Sequence, residues 1–333
     1  ALTISSGGSA GYEGPISLIA GGLGSMMSEA IGLSTQERRV MVVAGMSAGI
    51  GAVFHAPLAA GLLAAEILYS EMDLEHEVLV PSVIASTVAY AVFGAVRGWS
   101  SPWTPPTQLG FTDGRELVAY TVLALVVAAG AVGFIGTLRA VRSRFDAASW
   151  APVWLRPALG GFGIGLVGVF IPQALGSGYG LVQTALQGNH AVGIVLAVAV
   201  AKVITTALTT ESGGSGGVFA PLLVVGGLLG AAVGEAAHTL TPTITTHSAS
   251  FVVVGMAGLL AAALRTPLSA VFMVSELLGD YRLLVPAIWV CILAWLVTRR
   301  HRLFADQVAT RFDAPAQLSD MMGNVLSRIP VSE

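Results

Sequence analysis

Gly213-Gly214-Ser215-Gly216-Gly217-Val218-Phe219-Ala220-Pro221 interrupts an apolar chain and decides how the rest of it is read. Four glycines around one serine cannot continue a stable helix, because glycine loses the most backbone entropy on ordering. The apolar, Gly-studded run from Pro221 to Ala237 predicts a helix with its proline in the first turn, where a missing N–H costs nothing. A loop that hands over to a helix start presents unpaired N–H groups and the positive end of a helix dipole, a setting that suits an anion. At membrane depth such a loop must line a polar path or be buried in protein.

Composition places the chain in a bilayer. Of its 333 residues 54% are hydrophobic and 11% charged, with a mean hydropathy of +0.79, against roughly 25% charged residues in a soluble domain. The 41 glycines fit helices that approach backbone to backbone, which small residues permit in lipid. The net charge is −3 with no basic run, so a nucleic-acid partner is not expected. A lone Cys291 excludes an internal disulfide. No His or Cys set has metal-ligand spacing, and neither metal nor cofactor is expected. The expected fold class is an all-α polytopic membrane protein with short, Gly/Pro-interrupted helices.

Outward from the central loop, Ser5 to Pro15 forms a second Gly/Ser loop leading into Ile16–Ile31, and Val40–Leu68 is broken at His55-Ala56-Pro57. Further apolar spans are Val78–Val96, Leu117–Leu138, Pro157–Ile171, Ala191–Leu208, Phe251–Leu264, Leu268–Leu278 and Leu283–Val297. The Pro-, Trp- and Thr-rich stretch 98–114 is the expected boundary between two halves. By the positive-inside tendency, Arg139, Arg142, Arg144 and Arg156 argue for a cytoplasmic loop after Leu138, and Arg299, Arg300 and Arg302 for a cytoplasmic C-terminus.

The halves repeat one another. Gly45/Gly255, Ala52/Ala262, Pro57/Pro267, Leu58/Leu268 and Glu66/Glu276 fall at one constant offset, and Ser9/Ser215, Gly11/Gly217, Pro15/Pro221 and Gly21/Gly226 at nearly the same one. Broken helices at matching places in two halves point to an inverted-repeat transporter with its site near the midplane. The division expected is 1–98 as the remainder of a first repeat, 115–305 as a second, and 306–333 as a cytoplasmic tail. The second half has roughly 100 residues before its Gly loop that the first half lacks, which leads us to expect a comparable segment ahead of Ala1.

These residues resemble the CLC family of chloride channels and chloride/proton antiporters. Gly8-Ser9-Ala10-Gly11-Tyr12-Glu13-Gly14-Pro15 looks like the family's G-x-x-G-[RK]-E-G-P element, and Gly216 to Pro221 like its G-G-x-F-x-P element. Ala56-Pro57-Leu58-Ala59, Gly255-Met256-Ala257 and Thr266-Pro267-Leu268 match further landmarks in order. The resemblance implies a CLC-type inverted repeat in a cell (inner) membrane, usually a homodimer joined through segments such as 58–96 and 268–297, with chloride or a similar anion and the lipid bilayer as partners. It makes Glu13 the gating glutamate and assigns anion binding to backbone amides at Gly217, Val218, Phe219, Ala220 and Gly14.

Three departures from the family pattern stand out. Phe304 occupies the place of a tyrosine at the inner constriction, and a phenyl ring has no O–H donor. Ile67 takes the proton-relay position, next to Glu66, which reads as a helix-end residue because Glu276 holds the matching spot. Tyr12 replaces a basic residue, while Glu211 adds a negative charge before the central loop. The Ile67 substitution puts a channel ahead, with the antiporter using a non-standard proton path as the alternative. A cation-coupled organic-anion carrier and a serine hydrolase built on Ser212 or Ser215 with His55 are the competing classes.

Among the remaining residues, His55 reads as a polar helix break and Lys202 as a cation snorkelling to a helix end. The loop 176–180 is either a helix start or an entrance lining. The residues closing the chain, Ser327 to Glu333, resemble a lead-in to CBS regulatory modules.

Overall fold

A computed structural model describes residues 2–71, 73–99, 101, 103–104, 109–188, 191–245, 247–304 and 307–310. The suggested lead-in at 327–333 lies outside them. The described chain is all-α: α1 (Leu2–Ser5), α2 (Glu13–Ala30), α3 (Thr35–Phe54), α4 (Pro57–Glu66), α5 (His76–Arg97), α6 (Glu116–Ala147), α7 (Arg156–Phe170), α8 (Tyr179–Gln187), α9 (Val192–Glu211), α10 (Phe219–Leu240), α11 (Ser248–Leu264), α12 (Pro267–Leu278) and α13 (Leu284–Val297). Four of them, α5, α6, α9 and α10, are long and apolar enough to cross a membrane, and five further apolar helices, α4, α7, α11, α12 and α13, have 10–17 residues. This is a multi-pass membrane protein.

The helix breaks fall where the sequence reading put them, for identifiable reasons. Ser34 and Glu37 form a capping box that starts α3. Pro57 and Pro267 open α4 and α12. The helices before them end on His55 (φ 54°) and Arg265 (φ 68°), two non-glycine residues in the left-handed region at equivalent places in the two halves. Both are over-determined by their neighbours. His55 packs on Tyr90 and Phe93. Arg265 is buried, donates to the carbonyls of Ser70 (3.0 Å) and Trp295 (2.8 Å), and lies 4.4 Å from the Trp295 ring centroid.

The repeated glycines are contact points. A Cβ on Gly45 would strike the Ala20 carbonyl of α2, and one on Gly255 the Gly226 carbonyl of α10. Thus α2 packs on α3 as α10 packs on α11, each pair with carbonyl against Cα, the close approach that substitutes in lipid for a hydrophobic drive. Helix α10 is the central element, with Ala220 to Leu228 buried without interruption, whereas Leu18, Ile19, Met26 and Met27 of α2 are exposed.

Helices α4 and α12 lie antiparallel and clasp one another. The Glu66 carboxylate, at the end of α4, accepts from the N–H groups of Leu268 (3.0 Å) and Ser269 (2.8 Å) and from the Ser269 hydroxyl (2.5 Å). Glu276 returns the contact on Leu58 (3.2 Å) and Ala59 (2.8 Å). A carboxylate at a helix C-terminus is unfavourable for its own dipole, and here each one is offset by capping the other helix. This accounts for the Glu66/Glu276 match.

One expectation needs correction. Helix α6 runs to Ala147, so Arg139, Arg142 and Arg144 sit on its last turns rather than in a loop. Arg139 reaches the Arg302 carbonyl at 2.6 Å, which puts both arginine clusters at one end of the molecule. Trp103 is buried and donates to the Tyr179 carbonyl (2.9 Å), while the Gly110 N–H donates to Ser250 Oγ (3.3 Å).

Removing the clasp should be costly. Glu66→Ala leaves the N–H groups of Leu268 and the buried Ser269 unpaired and should destabilise the protein by about 2–4 kcal/mol. Glu276→Ala, at a half-buried site, should cost less. Thermal unfolding in detergent, followed by tryptophan fluorescence, should rank the variants in that order.

Candidate functional site

The two Gly loops meet. Gly11 and Gly217, partners in the repeat, exchange backbone hydrogen bonds, each N–H donating to the other's carbonyl at 2.8 Å. This two-residue bridge holds the first turns of α2 and α10 against each other. Their N-cap residues have nearly identical backbones, Tyr12 at φ −85°, ψ −5° and Val218 at φ −89°, ψ −5°, and no side chain caps either helix. A Cβ on Gly14 would lie 3.0 Å from Gly217 Cα, and one on Gly217 only 2.9 Å from the Gly14 nitrogen. Two positive helix ends therefore converge, with backbone against backbone at Gly14 and Gly217.

The group seated between them is Glu13, only 2% exposed. Its Oε1 accepts from the Tyr179 hydroxyl, and Oε2 is buried beside the start of α10, near Ala220, without an aligned donor. Gly11 makes room for this pose, since a Cβ there would collide with the carboxylate and stand 3.0 Å from Ala220 Cβ.

A cavity of about 480 Å³ extends from this point. Glu13, Gly14, Gly217, Val218 and Phe219 line it, and so do Ile67 and Phe304, the latter 43% exposed. Seven positions singled out from sequence thus share one cavity. Ala220 does not line it and is wholly buried. Among the described residues Glu13 is the cavity's one charged lining residue. Ser17, Ser47 and Thr210 supply its hydroxyls.

Two sequence readings change here, those of Glu211 and Lys202, while Glu66 and Ser212 take structural roles. Glu66 faces away into α12, so it is fixed by its caps rather than free in the cavity. Glu211 accepts from Thr210 Oγ1 (3.1 Å) and does not line the cavity, so its charge bears less directly on the path than its position in the chain suggested. Ser212 donates to the Thr209 carbonyl (3.4 Å) in the last turn of α9, a structural use of the hydroxyl. Lys202 does not snorkel. It is wholly buried, and its Nζ donates to the carbonyls of Ala174 (3.3 Å), Leu175 (3.4 Å) and Gly176 (2.5 Å). Among the described residues no cluster of His, Cys, Asp or Glu could hold a metal ion.

Sequence reasoning missed Tyr179. It reached the loop 176–180 and left helix start and entrance lining equally open. The structure makes Tyr179 the first residue of α8 and also the hydrogen-bond partner of Glu13. No local pattern could have found a bond between residues so distant in the chain. A hint was Tyr12, whose ring stacks edge-on against Tyr179 with centroids 5.8 Å apart.

Beyond Ile67 the chain is tied down. The Ile67 carbonyl accepts from Gln307 Nε2 (2.6 Å), and the Ser70 and Glu71 N–H groups donate to Val308 and Ala309 (3.0 and 3.1 Å). Tyr69 donates to Glu75, which also pairs with Arg39 at 2.7 Å. Burial, reinforced by that carboxylate, pushes the Tyr69 phenol up to about 12, so it stays a donor at physiological pH.

Residues 1–299 match the family model described as "Voltage gated chloride channel". The H+/Cl− exchange transporter ClcA of Salmonella agona is 32% identical over 309 residues, covering 89% of this chain and 63% of that protein. ClcA of Salmonella arizonae matches to the same extent. The chain therefore spans less than two thirds of the length of these curated relatives. Among solved structures, a slow cyanobacterial Cl−/H+ antiporter superposes with a TM-score of 0.80 at 22% identity, over 98% of this chain and 74% of that one. A CLC-type fluoride/proton antiporter gives 0.75 at 22% identity, over 91% and 73%.

The approach of the two loops is open to test. Gly14→Ala forces backbone apart at the bridge and should cost on the order of 1–3 kcal/mol. Gly22→Ala, on the open face of the same helix, should be neutral or stabilise by up to about 1 kcal/mol. Equal melting temperatures for the two variants would contradict the tight contact.

Proposed function

This chain belongs to the voltage-gated chloride channel (CLC) family, and on that premise we propose that it exchanges chloride for protons across a cell membrane, with Glu13 as the gate. The observation that carries the reading is the seating of one buried carboxylate between two uncapped helix starts at the end of a cavity. A carboxylate and a free chloride are both stabilised by that field, and they compete for one place. Amides at Gly14, Gly217, Val218 and Phe219 offer partial positive charge. With no Lys or Arg among the described residues lining the cavity, an anion is held weakly enough to leave.

Protonation removes the negative charge that keeps Glu13 in the seat. The side chain then swings out, an anion takes its place, and the proton leaves on the side to which Glu13 has moved. Ile67 carries no proton and Glu66 is engaged by α12, so protons reach Glu13 through water in the cavity between Phe304 and Thr210. Phe304 narrows the inner mouth by its bulk and offers the anion no hydroxyl.

The exchanger reading is supported by the ClcA relatives and by the two antiporters among the superposed structures. A channel is the second reading, favoured by Ile67 at the relay position. The working unit is a homodimer in the inner membrane, joined through the segments 58–96 and 268–297, whose exposed apolar side chains include Val88, Val92, Ile288 and Trp289.

Liposomes holding the full-length protein test this directly, with chloride efflux and proton movement recorded together. The wild type should drive protons uphill against a chloride gradient. Glu13→Gln should keep chloride flux and reduce proton movement to that of protein-free liposomes. Chloride flux without protons in the wild type would decide for the channel, and unchanged behaviour of Glu13→Gln would remove it as the gate.

A further inference from the structure

We propose that Tyr179 is the latch of the Glu13 gate, a positioning residue whose hydroxyl sets how readily the carboxylate leaves its seat. The inference rests on the gate reading above and adds a residue and a control point to it.

The latch is built from three directions. Gly178, at φ +81°, turns the chain so that α8 starts with Tyr179. That turn is held from behind by the buried Lys202 Nζ, which donates to the carbonyls of residues 174–176. A Cβ on Gly178 would stand 3.1 Å from Lys202 Nζ, so the loop rests directly on the lysine. An intramembrane lysine held only by carbonyls is costly unless it performs a task. Its task here is to fix the turn that presents Tyr179.

Aromatic contacts hold the ring. Trp103 donates to the Tyr179 carbonyl at 2.9 Å, and its ring lies edge-on to the tyrosine with centroids 5.3 Å apart. Tyr12 packs against Tyr179 at 5.8 Å. The ring has little freedom, and its hydroxyl is directed at Glu13 Oε1. Among the described residues it is the one side chain that donates to that carboxylate, while Oε2 lacks an aligned donor.

The chemistry follows from the direction of the bond. A hydroxyl donating to a carboxylate stabilises the charged, seated form, and such charge-assisted bonds are the strong ones. Release of Glu13 therefore requires this bond to break, whether the trigger is a proton or a competing anion. The titratable side chains facing Glu13 are Tyr12, from the residue before it, and Tyr179, from α8. Lys202 Nζ is directed at its carbonyls, away from Glu13. With no cation at the seat, the phenol carries most of the side-chain contribution to the balance between seated and released states.

Tyr179→Phe isolates this role, because the ring and its stacking on Tyr12 and Trp103 remain. In liposomes, chloride flux of the wild type and of Tyr179→Phe is measured against pH, then repeated in the Glu13→Gln background. With the latch gone, Glu13 takes up its proton and leaves the seat more easily. The pH of half-maximal flux should rise by about one unit, the scale expected for losing a hydrogen bond to a charged group. Glu13→Gln and the double variant Glu13→Gln/Tyr179→Phe should be indistinguishable. An unmoved profile in Tyr179→Phe, with Glu13→Gln still altering transport, overturns the latch and spares the gate. Equal changes in both backgrounds also overturn it, since the effect would then not pass through Glu13. A Glu13→Gln variant identical to the wild type overturns gate and latch together.

Discussion

Backbone N–H groups without water are the constraint on which this structure depends. An apolar chain that breaks its helices inside a membrane exposes amides that cost several kcal/mol each if left unpaired. The protein resolves this by making the two halves satisfy each other. Gly11 and Gly217 exchange hydrogen bonds, Glu66 caps α12, and Glu276 caps α4. Each solution occurs twice because the chain repeats, and each joins one half to the other. The first turns of α2 and α10 are the exception. They lack side-chain caps, and their positive ends converge on the position that Glu13 fills.

Polar groups elsewhere serve that position at a distance. Lys202 holds the turn before Tyr179, Trp103 crosses from the stretch 98–114 to hold the same residue, and Tyr12 closes the aromatic group. Tyr12 stands where the family carries a basic residue. Replacing a cation by a ring gives up electrostatic attraction for anions and gains a packing partner for the tyrosine that contacts the carboxylate. The two rings are understandable together, since the one at position 12 would have little to pack against without the one at 179.

Much of this was legible before any coordinates, because the informative features were local or periodic. Gly/Ser runs, prolines at helix starts and apolar spans located nearly every break, and the constant offset between halves paired Glu66 with Glu276. The CLC-like elements around Glu13 and Phe219 led to residues that line one cavity. Illegible were the contacts between side chains far apart in the chain that share no pattern. The Tyr179–Glu13 bond and the Lys202 clamp on residues 174–176 are of this kind. The extension of α6 to Ala147 was missed for a different reason: charged residues of good helix propensity continue a helix that hydropathy alone would end at Leu138.

The reciprocal clasp of α4 and α12 also constrains how the molecule is made. The amides of Leu58 and Ala59 wait for a carboxylate 217 or 218 residues further along the chain. At typical synthesis speeds that interval is roughly 10–40 s. Until Glu276 emerges, the broken helix of the first half carries unpaired amides, and Glu66 has no helix end to cap. The first half is therefore inserted in a provisional form and completed from the far end of the chain.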